Sequence, residues 1–260
     1  MEGGEALENN INNLYYFIDR GLFYFGPTWN YSLDWVTSSY DEVYNQSKLI
    51  NYGINKFGLE VIKTCEENKV LIDVSHIGEK SFWDIAKNTS KPFIASHSSV
   101  YELCPHYRNL KDDQINEIKK KEGLVGLNPY PFFIDPTFKK KEQIYRKKLT
   151  EKLKLIDNKN ISKSNKWIEK QHFLQKQLNT IAPEIDVFVD HIEYVINLIG
   201  IDFVAIGSDY DGLDCLPRNW NDCTDHHIIN DCLLKRGFSY NEIEKIMGKN
   251  ILRVLENINY

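Results

Sequence analysis

The stretch VLIDVSHIGEKSFWDIAKNTSKPFIASHSS (residues 70–99) contains two short apolar runs with an amphipathic segment between them. The runs, 70–76 and 92–99, are continuous rather than alternating, which is typical of strands buried on both faces of a parallel sheet. The intervening segment 79–88 has apolar residues at helical spacing. The stretch therefore predicts a β-α-β unit and an α/β fold.

The same alternation extends in both directions along the chain. Further strand-like runs lie at 23–27, 123–131 and 202–212, and further helical patterns lie at 56–69, 112–123, 189–200, 224–236 and 240–257. With a stub at Glu2 this gives about six strand positions. A barrel and an open doubly wound sheet are both compatible with the pattern. The sequence has neither a glycine-rich dinucleotide fingerprint nor a phosphate-binding loop.

Composition predicts one folded domain over residues 1–260, with 42% hydrophobic residues and a net charge of −5. An acidic chain gives no reason to expect nucleic acid or an anionic membrane as a partner. No apolar run is long enough for a membrane segment, and the first ten residues lack the pattern of a secretion signal. Five scattered cysteines then indicate reduced thiols and a cytoplasmic location.

The segment 139–178 interrupts the α/β alternation because it is rich in lysine and mostly polar. A solvated helical excursion on the surface is the preferred interpretation, since the whole chain is acidic. A binding module that uses this basic segment is the alternative.

Polar residues stand where three of the apolar runs end. They are Asp73 with His76, Ser96 with His97, and Ser208 with Asp209 and Asp211. In a parallel barrel the carboxyl ends of the strands share one face, where active sites are built. Imidazoles and carboxylates are the usual ligands of hydrolytic zinc, so the set predicts a metal site, although each histidine taken alone is more typical of a hydrogen-bonded core residue than of a ligand.

Three segments together resemble the membrane dipeptidase (renal dipeptidase) family, peptidase family M19. They are 71–118 (LIDVSHIGEKSFWDIAKNTSKPFIASHSSVYELCPHYRNLKDDQINEI), 191–212 (HIEYVINLIGIDFVAIGSDYDG) and 233–256 (LLKRGFSYNEIEKIMGKNILRVLE). The resemblance implies a (β/α)8 TIM-type barrel of the metal-dependent hydrolase kind. It also implies a zinc-dependent dipeptidase that uses a zinc-bound hydroxide, accepts a D-residue in second position and forms a homodimer.

The resemblance also assigns metal ligands. His76 and His97 match the two histidines of the second zinc, and Glu2 matches the glutamate that bridges two zinc ions. The family's first zinc is held by a His-x-Asp pair on the opening strand, and no His-x-Asp occurs in this chain. We therefore expect an incomplete barrel, lacking the first one or two βα units, that binds at most one zinc ion well.

Four further residues match substrate-handling positions of the family. Arg108 matches the arginine that holds the substrate carboxylate, a task suited to a guanidinium fork. Asp209 matches the acidic residue that handles protons at the scissile bond. Trp29 and Asn30 match substrate-contacting positions, and Trp29 stands where mammalian members have histidine.

Two other functions remain open from the residues. The chain could be a catalytically impaired fragment of such a dipeptidase, which the absent His-x-Asp pair favours. It could also be another metal-dependent barrel hydrolase, acting on lactones or cyclic amides. Arg108 discriminates between these readings, because its fork suits a substrate with a free carboxylate.

Overall fold

A computed structural model describes residues 1–259. The helices are α1 (Ile11–Ile18), α2 (Ser39–Tyr44), α3 (Lys56–Glu67), α4 (Glu79–Asn88), α5 (Asp112–Lys120), α6 (Pro131–Ile134), α7 (Phe138–Asp157), α8 (Lys163–Leu178), α9 (Ile185–Ile199), α10 (His227–Lys235), α11 (Tyr240–Glu244) and α12 (Asn250–Asn259). The strands are β1 (Tyr24–Phe25), β2 (Leu71–Asp73), β3 (Phe93–Ala95), β4 (Leu124–Leu127) and β5 (Val204–Ile206).

The five strands form one parallel sheet in the order β1-β2-β3-β4-β5. Each strand pairs with the next along the chain, as in a barrel, whereas a doubly wound sheet reverses its strand order. Glu2 adds a parallel bridge to Gly26 at the β1 side of the sheet. Within residues 1–259, β5 pairs with β4 alone. The six predicted strand positions are thus present, with Glu2 as the stub.

The two faces of the sheet bury different sets of side chains. One face packs against the helices of the outer layer through alternate residues such as Ile72, Phe93 and Val125, all at most 2% exposed. The other face packs against α12 through Leu71, Ile94, Leu124 and Ala205, which contact Val254. Burial on both faces explains why the strands are continuous apolar runs.

The lysine-rich segment 139–178 folds as the two long helices α7 and α8, which pack against each other. Their few buried apolar residues include Leu149, Ile156 and Leu178, and the lysines face outward. No helix within residues 1–259 combines the length and the apolar composition needed to cross a bilayer.

Two expected elements are interrupted in the structure, and two helices were not expected. The run 123–131 is a strand only as far as Leu127, because Pro131 begins α6, where a missing amide hydrogen costs nothing. The helical pattern 240–257 is broken by a π-helical turn at Lys245–Lys249, in which Gly248 leaves helical geometry. Helices α1 and α2 have no counterpart in the sequence prediction.

His191 of α9 ties the fold together as a neutral imidazole. Its Nδ1 accepts from the backbone N–H of Val100 (3.1 Å) and its Nε2 donates to the carbonyl of Ile134 (3.2 Å). The first contact requires a lone pair on Nδ1, so the charged ring would lose it. Burial lowers the pKa of His191 to about 4.

We expect this imidazole to make folding stability depend on pH. Because its pKa in the folded protein lies below that of the unfolded chain, its stabilising contribution is complete above about pH 6.5 and is lost as the pH falls towards 4. The loss is on the order of 3 kcal/mol. Urea unfolding of the metal-free protein from pH 7 to pH 4 should show it, and His191→Gln should flatten the profile.

The matched control is His172→Gln, at an exposed histidine of α8. It should leave the wild-type pH profile unchanged. Parallel profiles for the wild type and His191→Gln would rule out His191 as the titrating group.

Candidate metal centre

Three acceptor atoms converge at the carboxyl ends of the strands. The Nε2 atoms of His76 and His97 are 2.9 Å apart, and Oε1 of Glu2 lies 3.2 Å from each. Ligand atoms of a tetrahedral zinc ion are separated by roughly 3.3 Å, since zinc bonds are 2.0–2.1 Å long. The three distances therefore fit one small metal ion. This is the only set of three or more potential ligands that residues 1–259 bring together.

Glu2 reaches this position because the chain around it continues the sheet. The N–H of Gly3 donates to the carbonyl of Gly26 (2.9 Å), and the N–H of Gly26 donates to the carbonyl of Met1 (2.9 Å). The Glu2 side chain is 42% exposed, whereas the His76 and His97 side chains are 9% and 11% exposed. The site is thus open to solvent on the carboxylate side.

His76 follows β2 in a left-handed backbone conformation, with φ +67°, which turns its ring towards β3. The conformation is fixed by the N–H of Ser39, which donates to the carbonyl of His76 (2.8 Å). Its Nδ1 lies 3.2 Å from Oδ1 of Asn30, so Nδ1 carries the proton and Nε2 faces the centre with a lone pair. Burial, reinforced by the Arg108 cation, lowers the pKa of His76 to about 4. The ring is therefore neutral at pH 7, the form that binds metals.

His97 follows β3 and is held by polar groups at the ends of two strands. Its Nδ1 lies 2.6 Å from the hydroxyl of Ser96, which in turn lies 2.5 Å from Oδ2 of Asp73. Its backbone N–H donates to the hydroxyl of Ser75 (3.0 Å). These contacts depend on the pairing of β2 with β3, in which Asp73 stands opposite Ile94.

Arg108 is a buried cation without a carboxylate partner in the described part of the chain. The residue is 5% exposed, and its guanidinium donates only two long hydrogen bonds, to the hydroxyl of Ser98 (3.4 Å) and the carbonyl of His97 (3.3 Å). Burial lowers the pKa of Arg108 to about 10. An unpaired buried charge is costly, so this position suits an anionic ligand.

Asp209 stands beyond β5 and is oriented by a residue of the neighbouring strand end. The side-chain amide of Asn128, which is fully buried, donates to Oδ2 of Asp209 (3.2 Å). Burial raises the pKa of Asp209, which favours a protonated carboxyl more than in water. The chain after β5 can approach the end of β3 closely because residue 207 is glycine. A Cβ at this position would lie 2.1 Å from the carbonyl oxygen of Ser96.

A cleft of about 350 Å³ joins these groups. Its lining includes Glu2, Trp29, Asn30, His76, Arg108 and Asp209. Trp29 is 47% exposed and stands 6.5 Å from the His76 ring, measured between centroids. The volume is near the lower end for small-molecule sites.

Asp211 and three further histidines contribute no ligand atom to this centre. Asp211 lines a neighbouring cleft beside α8 and contributes no ligand atom. His106 lines the same cleft as Arg108, and its Nδ1 accepts from the backbone N–H of Arg108 (3.2 Å). His226 and His227 stand where α10 begins. Sequence reasoning did not identify Asn128, because an asparagine at the end of a strand is not by itself a signal of function.

The chain matches the family described as membrane dipeptidase (peptidase family M19) over residues 1–260. It is 30% identical over 258 residues to an uncharacterised Klebsiella pneumoniae protein encoded in the region 5′ of pqqA, covering 99% of this chain and 80% of that protein. It is 26% identical over 209 residues to the dipeptidase tcpJ of Claviceps purpurea, covering 80% of this chain and 39% of tcpJ.

Solved structures share the fold. A Rhodobacter sphaeroides metallopeptidase, crystallised with a phosphinate mimic of the dipeptide L-Ala-D-Ala, matches with a TM-score of 0.76 at 22% identity, covering 99% of this chain and 62% of that one. The probable dipeptidase PvdM of Pseudomonas aeruginosa matches with a TM-score of 0.75 at 24% identity, covering 99% and 68%. The chain thus spans about three fifths of the length of the Rhodobacter protein. These matches confirm the predicted α/β fold with its parallel sheet.

Proposed function

The chain belongs to the membrane dipeptidase family, peptidase family M19, and from this premise we propose that it is a zinc-dependent hydrolase of dipeptides. One observation carries the proposal: a buried guanidinium without an ion-pair partner lines the same small cleft as Glu2 and His76, and His97 completes the three converging acceptor atoms beside that cleft. Such a cleft would bind a substrate that carries both a free carboxylate and a nearby peptide carbonyl.

The residues fit a zinc ion by the chemistry of their donors. Glu2, His76 and His97 direct acceptor atoms at one point, and the hydrogen bonds to Asn30 and Ser96 direct the ring protons away from it. Three such acceptors repel one another unless a cation lies between them. When bound, zinc would polarise the scissile carbonyl and lower the pKa of a water molecule. Three protein ligands leave a position open for that water.

Arg108 would bind the terminal carboxylate of the substrate. Its guanidinium lies against the carbonyl of His97 and lines the same cleft as Glu2 and His76, so the bound carboxylate would lie close to the metal ligands. A bidentate pair with a carboxylate would replace the two long hydrogen bonds that the guanidinium makes now. The fixed separation would select dipeptides over longer peptides.

Asp209 would transfer the proton to the leaving amine. Burial raises the pKa of its carboxyl, which is the direction required of a general acid near neutral pH. The amide of Asn128 keeps one oxygen in place, and the other oxygen is left to face the substrate. Trp29 would cover the cleft from the solvent side, where its indole offers an N–H and an apolar wall.

Two substrates test the proposal directly: L-Ala-D-Ala and its C-terminal amide, which has no carboxylate. With zinc added to the purified chain, we expect hydrolysis of the free dipeptide at a kcat/KM at least about 100-fold above that of the amide, since a lost charged pair costs about 3 kcal/mol or more. Removal of zinc with a chelator should abolish both activities. Equal rates for the two substrates, or rates independent of zinc, would contradict the proposal.

A further inference from the structure

Asp73 is a buried carboxylate that forms no ion pair within residues 1–259, and its hydrogen-bond donors lie just beyond the ends of β2 and β3. It is 3% exposed. Its Oδ1 accepts from the backbone N–H of Ser75 (3.0 Å) and of Ser96 (2.9 Å), and its Oδ2 accepts from the hydroxyl of Ser96 (2.5 Å). A buried carboxylate needs such donors, but packing alone does not require one of them to be the hydroxyl that contacts His97.

The hydrogen-bond directions along this chain of groups are determined by Asp73. A carboxylate only accepts, so the Ser96 hydroxyl must donate to Oδ2. The oxygen of Ser96 then presents a lone pair to Nδ1 of His97 at 2.6 Å, and Nδ1 must carry the imidazole proton. The other ring nitrogen, Nε2, is left with the lone pair that faces Glu2 and His76.

We propose that Asp73 is a positioning residue, which acts through the Ser96 hydroxyl to hold His97 in the tautomer that can bind a metal. The proposal rests on the metal site assigned above, because it specifies how one of its ligands is kept ready. The negative charge of Asp73 also makes the imidazole a stronger electron donor, as carboxylate partners of metal-bound histidines do.

The Nδ1 atoms of His76 and His97 have different hydrogen-bond partners. Nδ1 of His76 contacts the neutral amide of Asn30 at 3.2 Å, whereas Nδ1 of His97 contacts a hydroxyl that is tied to a carboxylate. The shorter contacts and the formal charge both lie on the His97 side. The basicity of His97, unlike that of His76, therefore depends on a carboxylate, Asp73, that acts through the Ser96 hydroxyl.

Asp73→Asn is expected to reverse the hydrogen-bond directions from residue 73 through Ser96 to His97 (the relay), while changing the side-chain volume very little. The introduced amide oxygen can keep the backbone N–H groups of Ser75 and Ser96, so the amide nitrogen must face the Ser96 hydroxyl and donate to it. Ser96 then donates to Nδ1 of His97, and the ring proton moves to Nε2, where it blocks the metal. We expect zinc affinity to fall 10- to 100-fold, measured by competition with a chromophoric chelator.

A second measurement reads the tautomer without any metal. In ¹⁵N spectra of the metal-free protein at neutral pH, wild-type His97 should be protonated at Nδ1 and the Asp73→Asn variant at Nε2. Ser96→Ala removes the relay by another route and should leave a mixture of tautomers. Adding Asp73→Asn to Ser96→Ala should weaken zinc no further, because the introduced amide then has no path to the ring.

Glu66→Gln is the matched control. Glu66 lies away from the centre, and its Oε1 accepts from the hydroxyl of Thr89 (2.7 Å) and the N–H groups of Ser90 (2.7 Å) and Lys91 (2.9 Å). It should lose stability but keep zinc. If Asp73→Asn holds zinc as tightly as Glu66→Gln does, or if wild-type His97 carries its proton on Nε2, the relay is overturned. If the wild type fails to bind zinc but carries the His97 proton on Nδ1, the proposed function is wrong, whereas the hydrogen-bond chain from Asp73 to His97 is confirmed.

Discussion

His97→Ala is expected to weaken zinc binding roughly 10²- to 10³-fold and to remove dipeptide hydrolysis at micromolar zinc. Zinc sites with four protein ligands bind with about 10–16 kcal/mol, so one ligand contributes about 3–4 kcal/mol, and each 1.4 kcal/mol is tenfold in affinity. His97 offers one of the three potential ligand atoms that residues 1–259 bring together. The loss should therefore be at least as large as in a site with four ligands.

Zinc dissociation constants measured by chelator competition would check this prediction. His172→Ala removes an exposed histidine of α8 outside the centre and should leave the affinity unchanged. If His97→Ala binds zinc as tightly as the wild type, the metal is held elsewhere. Activity that returns at millimolar zinc would support the prediction, since mass action can offset a weakened site.

The sequence predicted the elements that carry this site because their signals are local. The run that ends in His76 and the run that ends in His97 are apolar throughout, and both became strands of one parallel sheet. Strands that neighbour each other in sequence also neighbour each other in the sheet. Their carboxyl ends therefore had to converge, and the two histidines with them.

The parts that sequence reasoning missed depend on contacts between distant residues. Asn30 matched a substrate-contacting position, whereas its side chain lies against Nδ1 of His76, 46 residues away along the chain. Asn128 reaches Asp209 across 81 residues. An amide carries no sequence signal of its partner, because the same residue suits turns, caps and surfaces equally well. Only the register of the strands brings these pairs together.

The proposed role of Arg108 in binding the substrate carboxylate predicts an unusual pair of effects: loss of activity without loss of stability. A buried arginine that serves the fold is paired, and its removal then destabilises the protein by several kcal/mol. Within residues 1–259 the guanidinium of Arg108 makes two long hydrogen bonds to neutral oxygens and lies 5.5 Å from the centroid of the Phe133 ring, and burial lowers its pKa to about 10. The folded protein therefore gains little from this cation until an anion binds.

Arg108→Ala should accordingly lower kcat/KM for L-Ala-D-Ala by roughly 10²- to 10³-fold, which corresponds to about 3–4 kcal/mol of lost binding to a desolvated carboxylate. Arg108→Lys should recover only part of this, because an ammonium group cannot bond both carboxylate oxygens in the geometry of the fork. Neither variant should change the rate with the C-terminal amide of the dipeptide.

The urea midpoint of each variant provides the second half of the test. Arg108→Met keeps much of the side-chain volume and removes the charge, so its free energy of unfolding should equal or exceed that of the wild type. Arg20→Ala, at an exposed arginine that stacks on Tyr16, is the control for losing an arginine outside the cleft. If Arg108→Met is inactive and also strongly destabilised, the guanidinium serves the fold. If it is inactive and stable, Arg108 is held buried and unpaired in order to bind the substrate.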